Sequence, residues 1–191
     1  MKTLVLDAST SLLYIAFYNN NEEIFVLKGK GQNNHSENML TGVKTGLEQC
    51  NLKMKDFGRI IVGIGPGSYT GLRVAMTVAK MFAWTLNIPL YTVSSLDMLA
   101  SGYYHKDGTY AIVTRAKKGH VYGKLVEVKS GKRNIIFNDC FLKTEEFYQK
   151  IEAYDYFEIN MENCLLEPLN LELKLVEDLH GITPNYLRGE L

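Results

Sequence analysis

The sequence predicts an α/β fold in which helices pack on a mixed sheet, and two observations support this prediction. Three short strand-like segments follow one another near the N-terminus, and two helical segments then alternate with two further strands. The order strand, strand, strand, helix, strand, helix, strand is that of a ribonuclease-H-like layer. We therefore expect one such domain in residues 1–100 and a smaller, divergent second domain in residues 101–191.

The three N-terminal strands are predicted at residues 4–6, 13–18 and 24–27. Polar turns at residues 7–11 and 19–23 separate them. Because antiparallel strands can be joined by such short connections, whereas parallel strands need a long crossover, we expect an antiparallel meander.

Two helices are predicted in the first domain. In residues 36–50, apolar side chains recur at helical spacing and give an apolar stripe on one face. In residues 70–86, nearly every residue is helix-compatible and either apolar or small, and Pro89 follows soon after. Strands at residues 59–64 and 90–93 flank the second helix and complete the pattern of the first domain.

The second half of the chain has a weaker pattern. Strands are expected at residues 110–114, 120–128 and 135–142, and helices at residues 144–152 and 169–179. No repeat or low-complexity linker separates the two halves. The domain boundary is therefore placed where the pattern of the first domain is complete.

The amino-acid composition of the chain limits the classes of function that we expect for it. The 21 Lys and Arg residues equal the 21 Asp and Glu residues in number, so no overall charge attracts nucleic acid or a membrane surface. The three cysteines lie far apart and without C-x-x-C spacing, which favours reduced thiols and a cytoplasmic location. The sequence has no apolar run of 18 residues and no signal-peptide pattern, so we expect neither secretion nor membrane spanning.

The second helix has more apolar surface than one sheet can cover. In residues 71–86 the only charges are Arg73 and Lys80, and a helix that is apolar nearly all round must be covered on more than one side. The first helix has small residues of its own, Gly42 and Gly46, which let another backbone come close. Two interpretations stay open: both faces are used within one monomer, or the two helices form a protein–protein interface. In the second interpretation the interface residues are Met39, Gly42, Val43, Gly46, Gly71, Leu72, Ala75, Met76, Ala79, Phe82 and Ala83.

A glycine-rich loop at residues 63–73 joins a predicted strand to the N-terminus of the second helix. Backbone N–H groups at such a place can hold an anion, which makes Gly65 and Gly67 candidate nucleotide or phosphate contacts. The loop lacks the Lys of a P-loop and does not match the G-x-G-x-x-G spacing. A tight turn in which Ser68 or Thr70 caps the helix is the favoured interpretation.

Four segments of the chain resemble, as exact strings, the TsaB (YeaZ) family. They are Leu6-Asp7-Ala8-Ser9-Thr10, His35-Ser36-Glu37, Gly65-Pro66-Gly67-Ser68-Tyr69-Thr70-Gly71-Leu72-Arg73 and Pro184-Asn185-Tyr186-Leu187-Arg188. The resemblance spans the chain. It implies the actin, Hsp70 and sugar-kinase (ASKHA) type of fold, with two ribonuclease-H-like domains, mixed sheets and a reduced second domain.

The resemblance also implies partners and a function. TsaB-like proteins pair with a TsaD-type paralogue and, with a TsaE-type ATPase, support threonylcarbamoylation of N6 of adenosine 37 in ANN-decoding tRNAs. The heterodimer interface of the family is a helical bundle that corresponds here to residues 36–50 and 70–86. We therefore expect a scaffold that binds the paralogue, forms a homodimer when alone, meets tRNA only through the complex and does not bind membranes.

Catalysis by this chain is not expected. The catalytic paralogue holds a metal with two His at i and i+4 on its first helix, whereas His35 here is followed by Met39. Asp7 lies where kinases of the superfamily place an acidic residue on Mg-nucleotide, but Asp before Ala-Ser-Thr is as easily a turn-former. We expect no metal and no firmly bound cofactor, with ATP or ADP at the assembled complex. The alternative function is a small-molecule kinase or ATPase of the same fold.

The second domain departs from the family pattern in residues 115–122. Relatives carry an Asp-Ala-Arg-x-Gly-Glu-Val-Tyr type of segment, and here Arg115 and His120 replace the two acids. Residues 115–133 contain seven Lys or Arg and one acid, whereas residues 139–178 contain eleven acids and three lysines. A solvated hairpin face is the favoured interpretation, and a patch that approaches tRNA or an acidic partner is the alternative.

Overall fold

Two compact units make up the chain. The computed structural model describes residues 1–10, 12–30 and 35–187. The first unit comprises Met1–Val93 and Glu172–Asn185, and the second unit comprises the remaining described residues.

The boundary between the units differs from the predicted one in two respects. It falls between Val93 and Ser94 rather than near residue 100, because Ser94 is the N-cap of a helix that belongs to the second unit. Residues 172–185, which we expected in the second domain, belong to the first unit because Lys174–Leu175 pair with its sheet.

A six-stranded mixed sheet forms the first unit. Its strands are β1 (Lys2–Asp7), β2 (Leu12–Asn19), β3 (Glu22–Lys30), β4 (Phe57–Gly63), β5 (Leu90–Val93) and β10 (Lys174–Leu175). Strands β1 to β3 form the predicted antiparallel meander, β4 lies parallel to β1, and β5 lies parallel to β4. The sheet order β10-β5-β4-β1-β2-β3 confirms the ribonuclease-H-like arrangement and adds β10 at one edge.

Two helices, α1 (His35–Gln49) and α2 (Tyr69–Leu86), cover one face of this sheet. Alternate side chains of the strands point to this face, because successive residues of a strand face opposite sides. Leu6 and Phe17 are fully buried there and pack in one core with Ala79. The predicted helices at residues 36–50 and 70–86 are therefore confirmed to within a residue at each end.

The second unit repeats this arrangement in a shorter form. Its elements are α3 (Ser95–Ala100), β6 (Gly108–Arg115), β7 (His120–Lys129), β8 (Lys132–Lys143), α4 (Thr144–Ile151) and β9 (Phe157–Ile159). Strands β6, β7 and β8 are antiparallel neighbours, and β9 returns parallel to β6 after α4. Its sheet order β8-β7-β6-β9 matches that of β3-β2-β1-β4 and lacks a counterpart of β5, which makes this unit the reduced one.

One element that the sequence predicts in the second half of the chain differs from the structure. The helix predicted at residues 169–179 is wrong, since this segment contains part of a 3₁₀ turn at Pro168–Asn170 and then β10. The N–H of Val176 donates to the Leu90 carbonyl oxygen at 2.9 Å, so pairing with β5 holds this segment extended. Two short elements, α3 and β9, were not predicted because they are too short to show a periodicity.

Candidate functional site

The glycine-rich loop packs directly on the turn that follows β1. The N–H of Ser68 donates to the Ser9 carbonyl oxygen. A Cβ atom on Gly67 would lie well under 3.0 Å from that oxygen, and one on Gly71 would lie equally close to the Ala8 carbonyl oxygen. Both glycines are therefore explained by the close approach of two backbone segments.

The favoured interpretation of this loop as a capped turn agrees with its geometry. Ser68 has extended backbone angles, and its Oγ accepts the N–H of Gly71 at 3.5 Å, so Ser68 rather than Thr70 is the N-cap of α2. Gly65 has a φ of 101°, a left-handed conformation that side chains rarely adopt. The N–H of Asn185 donates to the carbonyl oxygen of Ile64 at 2.8 Å, which ties the C-terminal segment to the same loop.

Asp7 lies at the end of β1 with its side chain 6% exposed. One of its carboxylate oxygens accepts the N–H of Ser9 at 2.6 Å, which is the hydrogen bond of an Asx turn. The hydroxyl of Ser9 is buried and has no hydrogen-bond partner among the described residues. This geometry fits the turn-forming role of Asp7, and contact of Asp7, Gly65 or Gly67 with a nucleotide stays a prediction.

The eleven residues predicted at an interface lie mainly on the inner face of the helices. Ten of them are buried within the first unit, and Phe82 is partly buried. A Cβ atom on Gly42 would meet the side chain of Ile15, and one on Gly46 would meet the ring of Phe17. The small residues of α1 therefore let the helix approach its own sheet. A role of these eleven residues at a protein–protein interface stays a prediction.

The outer face of α1 and α2 carries a different set of side chains. We call it the outer stripe, and its residues are Leu40, Tyr69, Arg73, Thr77, Met81 and Trp84, all of them exposed. On α2 these residues recur every three or four positions, so they lie on one side of the helix. The side chain of Trp84 is 70% exposed and that of Met81 is 44% exposed. Large apolar side chains exposed along one side of a helix are typical of a protein–protein contact surface.

Both ends of the outer stripe are held in place by neighbours. At the start of α2, the guanidinium of Arg73 lies 4.1 Å from the centre of the Tyr69 ring, a cation–π contact. At the other end, the ring centroids of Trp84 and His180 are 6.4 Å apart in an edge-to-face arrangement. The Lys80 ammonium donates to the carbonyl oxygen of His180 at 3.1 Å, so the C-terminal segment is fastened beside the stripe.

The interface residues predicted from the sequence are apolar or small and do not include the outer stripe. Nearly all of them lie on the face that packs on the sheet. A usable signal was nevertheless present, since Met81 and Trp84 are large apolar residues on the side of α2 that the alanines Ala75, Ala79 and Ala83 do not occupy.

A buried cluster of charges lies in the second unit, at the start of α3. Lys124 is 2% exposed, and its ammonium lies 2.7 Å from Asp97 Oδ2 and 3.4 Å from Asp139 Oδ1. The hydroxyls of Ser94 and Tyr104 donate to Asp139 and Asp97 at 3.1 and 2.7 Å. Burial raises the pKa of Asp139, and the attraction of Lys124 opposes this shift. Because the members satisfy one another, we interpret the cluster as structural.

Two further observations concern the described part of the chain. Within residues 1–10, 12–30 and 35–187, no group of three or more His, Cys, Asp or Glu side chains is arranged to hold a metal ion. None of the described helices is long and apolar enough to cross a membrane. The segment His35-Ser36-Glu37 begins α1, but its side chains lie outside the described residues, as does Arg188.

Comparison with protein families gives one model that matches most of the chain. The model described as "TsaD: tRNA N6-adenosine threonylcarbamoyltransferase" matches residues 29–169. The chain is 29% identical over 216 residues to the tRNA threonylcarbamoyladenosine biosynthesis protein TsaB of Bacillus subtilis, covering 98% of this chain and 94% of that protein. It is 28% identical over 126 residues to the TsaB protein of Escherichia coli, covering 64% and 53%.

Solved structures show the same fold. A crystal structure of an uncharacterized Pseudomonas aeruginosa protein with similarity to the peptidase YEAZ has a TM-score of 0.77 at 22% identity, covering 98% of this chain and 99% of that one. The structure of YeaZ from Pseudomonas aeruginosa has a TM-score of 0.72 at 24% identity, covering 83% and 75%. The predicted ASKHA type of fold is thereby confirmed.

Proposed function

Since this chain belongs to the TsaB (YeaZ) branch of the TsaD family, we propose that it is the non-catalytic dimerization subunit that binds the TsaD-type transferase. Its relatives support a role in the biosynthesis of threonylcarbamoyladenosine in tRNA. In this proposal the chain scaffolds the modification of N6 of adenosine 37 in ANN-decoding tRNAs. A TsaE-type ATPase joins the complex, and a homodimer forms when the paralogue is absent.

The outer stripe is the observation that carries this proposal. It places Met81 and Trp84 in solvent on a helix whose other face is already buried in the core. The stripe also contains Arg73 and Thr77, so a partner helix can contact both apolar and polar side chains along it. A helical bundle formed by α1, α2 and two helices of the paralogue would cover this surface.

The position of Met39 supports a non-catalytic role. In the TsaD-type paralogue a second metal-binding His is expected four residues after the first, on the same face of the first helix. Here Met39 occupies that position, and its side chain is fully buried in the core of the first unit. A buried thioether is not a ligand for a catalytic metal in a solvent-accessible site. Nucleotide, in this proposal, binds at the assembled complex, and the complex works in the cytoplasm.

Size-exclusion chromatography with light scattering tests the proposal directly. The full chain is mixed with the TsaD-type paralogue of the same organism, as wild type and as Thr77→Arg. Thr77 lies at the centre of the outer stripe and is exposed, so the arginine leaves the fold intact but obstructs a helical partner. Asn21→Arg, in the exposed turn between β2 and β3, is the matched control for the added charge.

The expected result is a 1:1 complex for wild type and Asn21→Arg, and separate proteins for Thr77→Arg. Binding of Thr77→Arg as tight as that of wild type would remove the outer stripe as the interface. Failure of the wild-type proteins to associate would remove the scaffold function itself, and titration with Mg-ATP would then test the kinase alternative.

A further inference from the structure

The basic segment of the second unit separates into two clusters in the structure. β7 is ten residues long and lies between two turns. The turn that precedes it and the turn that follows it are therefore at opposite ends of this strand. Lys129 and Lys132 are exposed at the far end, and Lys124 is buried between the two ends. The near end carries a cluster that we call the basic turn; its residues are Arg115, Lys117, Lys118, His120 and Lys143.

The basic turn has a fixed backbone. The N–H and the hydroxyl of Thr144 both donate to the Gly119 carbonyl oxygen, at 2.9 and 2.8 Å. The N–H of Ala116 donates to the His120 carbonyl oxygen at 2.8 Å, and His120 Nδ1 lies 2.9 Å from the carbonyl oxygen of Lys118. Because these bonds hold the turn from both sides, its exposed cations are presented from a rigid support.

Aromatic rings lie beside these cations. The His120 imidazole stacks on the Phe141 ring with centroids 4.7 Å apart and planes 4° apart, and Tyr122 packs against Phe141 at 5.3 Å. His120 and Phe141 are half-buried, so both residues are partly exposed to solvent. The combination of cations with partly exposed planar rings is typical of surfaces that bind single-stranded nucleic acid.

We propose that the basic turn contacts the sugar-phosphate backbone of RNA. Arg115, Lys117 and Lys118 are exposed and would each reach a phosphate, while the stacked rings offer a surface to a neighbouring base. An acidic protein would use the cations but not the rings. Of the two carboxylates that begin α4, Glu146 lies 4.0 Å from the Lys150 ammonium. Glu145 adds one negative charge, which is fewer than the Lys and Arg side chains of the basic turn, so the local charge stays positive.

This contact agrees with the neutral overall charge of the chain, since a local cluster and not the summed charge attracts the phosphates. It rests on the proposed function only for the identity of the RNA as tRNA. The contact would be made by this chain itself and can be measured without the paralogue, in contrast to the expectation from the sequence that the chain meets tRNA only through the complex.

Fluorescence anisotropy with a fluorescein-labelled tRNA transcript tests the contact. The full chain is titrated alone at about 50 mM salt and again as the preformed complex, and the double variant Lys117→Glu/Lys118→Glu is compared with Lys129→Glu/Lys132→Glu. Both variants make the same charge change, at the two opposite ends of β7. We expect the first to weaken binding at least about fivefold and to reduce the salt slope by roughly 1 to 2, and the second to change affinity by less than about twofold.

Several outcomes would overturn the proposal. Equal loss in the two variants would show unspecific attraction, and wild type that binds no RNA in either state would show that the turn has no such role. Poly-L-glutamate that binds as tightly as the RNA, with the same loss in Lys117→Glu/Lys118→Glu, would assign the turn to an acidic protein instead. If the paralogue never associates, the proposed function fails, but the titration of the free chain still decides on the RNA contact.

Discussion

The inner and outer faces of α2 differ in the size of their side chains, and the larger side chains are on the outer face. The inner face is built from small residues such as Ala75 and Ala79, both fully buried, whereas the outer face carries Met81 and Trp84 in solvent. Small residues allow the helix to lie close to the sheet, and the strands supply the bulky side chains of the core. The large apolar residues on the outside therefore remain exposed to solvent in the described part of the chain.

Lysines show the same contrast in the second unit. Lys124 lies inside and is matched by two carboxylates, whereas Lys117 and Lys118 lie outside on a turn. Inner positions therefore fix the fold, and outer positions are free to bind partners. The predictions below test this division at matched pairs of positions.

The largest effect is expected for Ala79→Arg. Ala79 is fully buried, so an arginine there places a guanidinium in an apolar core and should destabilise the fold by more than about 4 kcal/mol. Thr77→Arg, two residues away on the exposed side of the same helix, should change the free energy of unfolding by less than about 0.5 kcal/mol. Urea unfolding followed by circular dichroism measures both. Similar losses in the two variants would contradict the assignment of the faces.

Lys124→Met should be the next most harmful change. It removes the ammonium between Asp97 and Asp139 and leaves two largely buried carboxylates facing each other, which we expect to cost about 3 kcal/mol. Lys129→Met, at the exposed end of the same strand, is the control and should be nearly neutral. Thermal unfolding at pH 7 compares them, and an unchanged midpoint for Lys124→Met would show that the charge cluster does not stabilise this unit.

Gly71→Ala tests the close approach of the glycine loop to the turn after β1. The added Cβ would collide with the carbonyl oxygen of Ala8, so the backbone must shift, at a cost of about 2 kcal/mol. Gly29→Ala, whose Cβ would meet only ordinary van der Waals contact with Leu27, should cost less than about 0.5 kcal/mol. Urea unfolding again gives the measurement. If Gly71→Ala is as stable as wild type, a reason other than packing must be sought for this glycine.

The order of the elements could be predicted from the sequence, and much of the site could not. Helical spacing gave α1 and α2, and short polar turns gave the meander, because both patterns are local. The strand β10 could not be predicted, since its pairing with β5 joins residues more than 80 positions apart. Which face of α2 packs on the sheet could not be predicted for a related reason. Alanine and glycine at helical spacing show that something comes close, but only the fold shows that it is the sheet of the same chain.

The pH dependence of stability tests the inner charge cluster more finely. Burial raises the pKa of the Asp139 carboxyl above its ordinary value of 3.8, so the folded chain holds the carboxyl proton more tightly than the unfolded chain does. The carboxyl of Asp139 therefore makes the free energy of unfolding fall as the pH rises through the range above 3.8. The Asp139→Asn variant lacks this titrating carboxyl and therefore lacks its contribution to the pH dependence. We expect the stability of wild type relative to Asp139→Asn to decrease between pH 4 and pH 7, as measured by urea unfolding, and an increase would contradict the shift.

The smallest effect is expected for the most exposed apolar side chain of the outer stripe. Trp84 is 70% exposed and makes an edge-to-face contact with His180 at 6.4 Å, so Trp84→Gln should change the free energy of unfolding by less than about 0.5 kcal/mol. A tryptophan at a place where it adds so little to the fold is explained if a partner covers it, because tryptophan is enriched among the residues that dominate binding energy. Isothermal titration with the TsaD-type paralogue should therefore show a loss of at least about 2 kcal/mol of binding energy for the same variant. A variant that loses stability but not affinity would place Trp84 with the inner face instead.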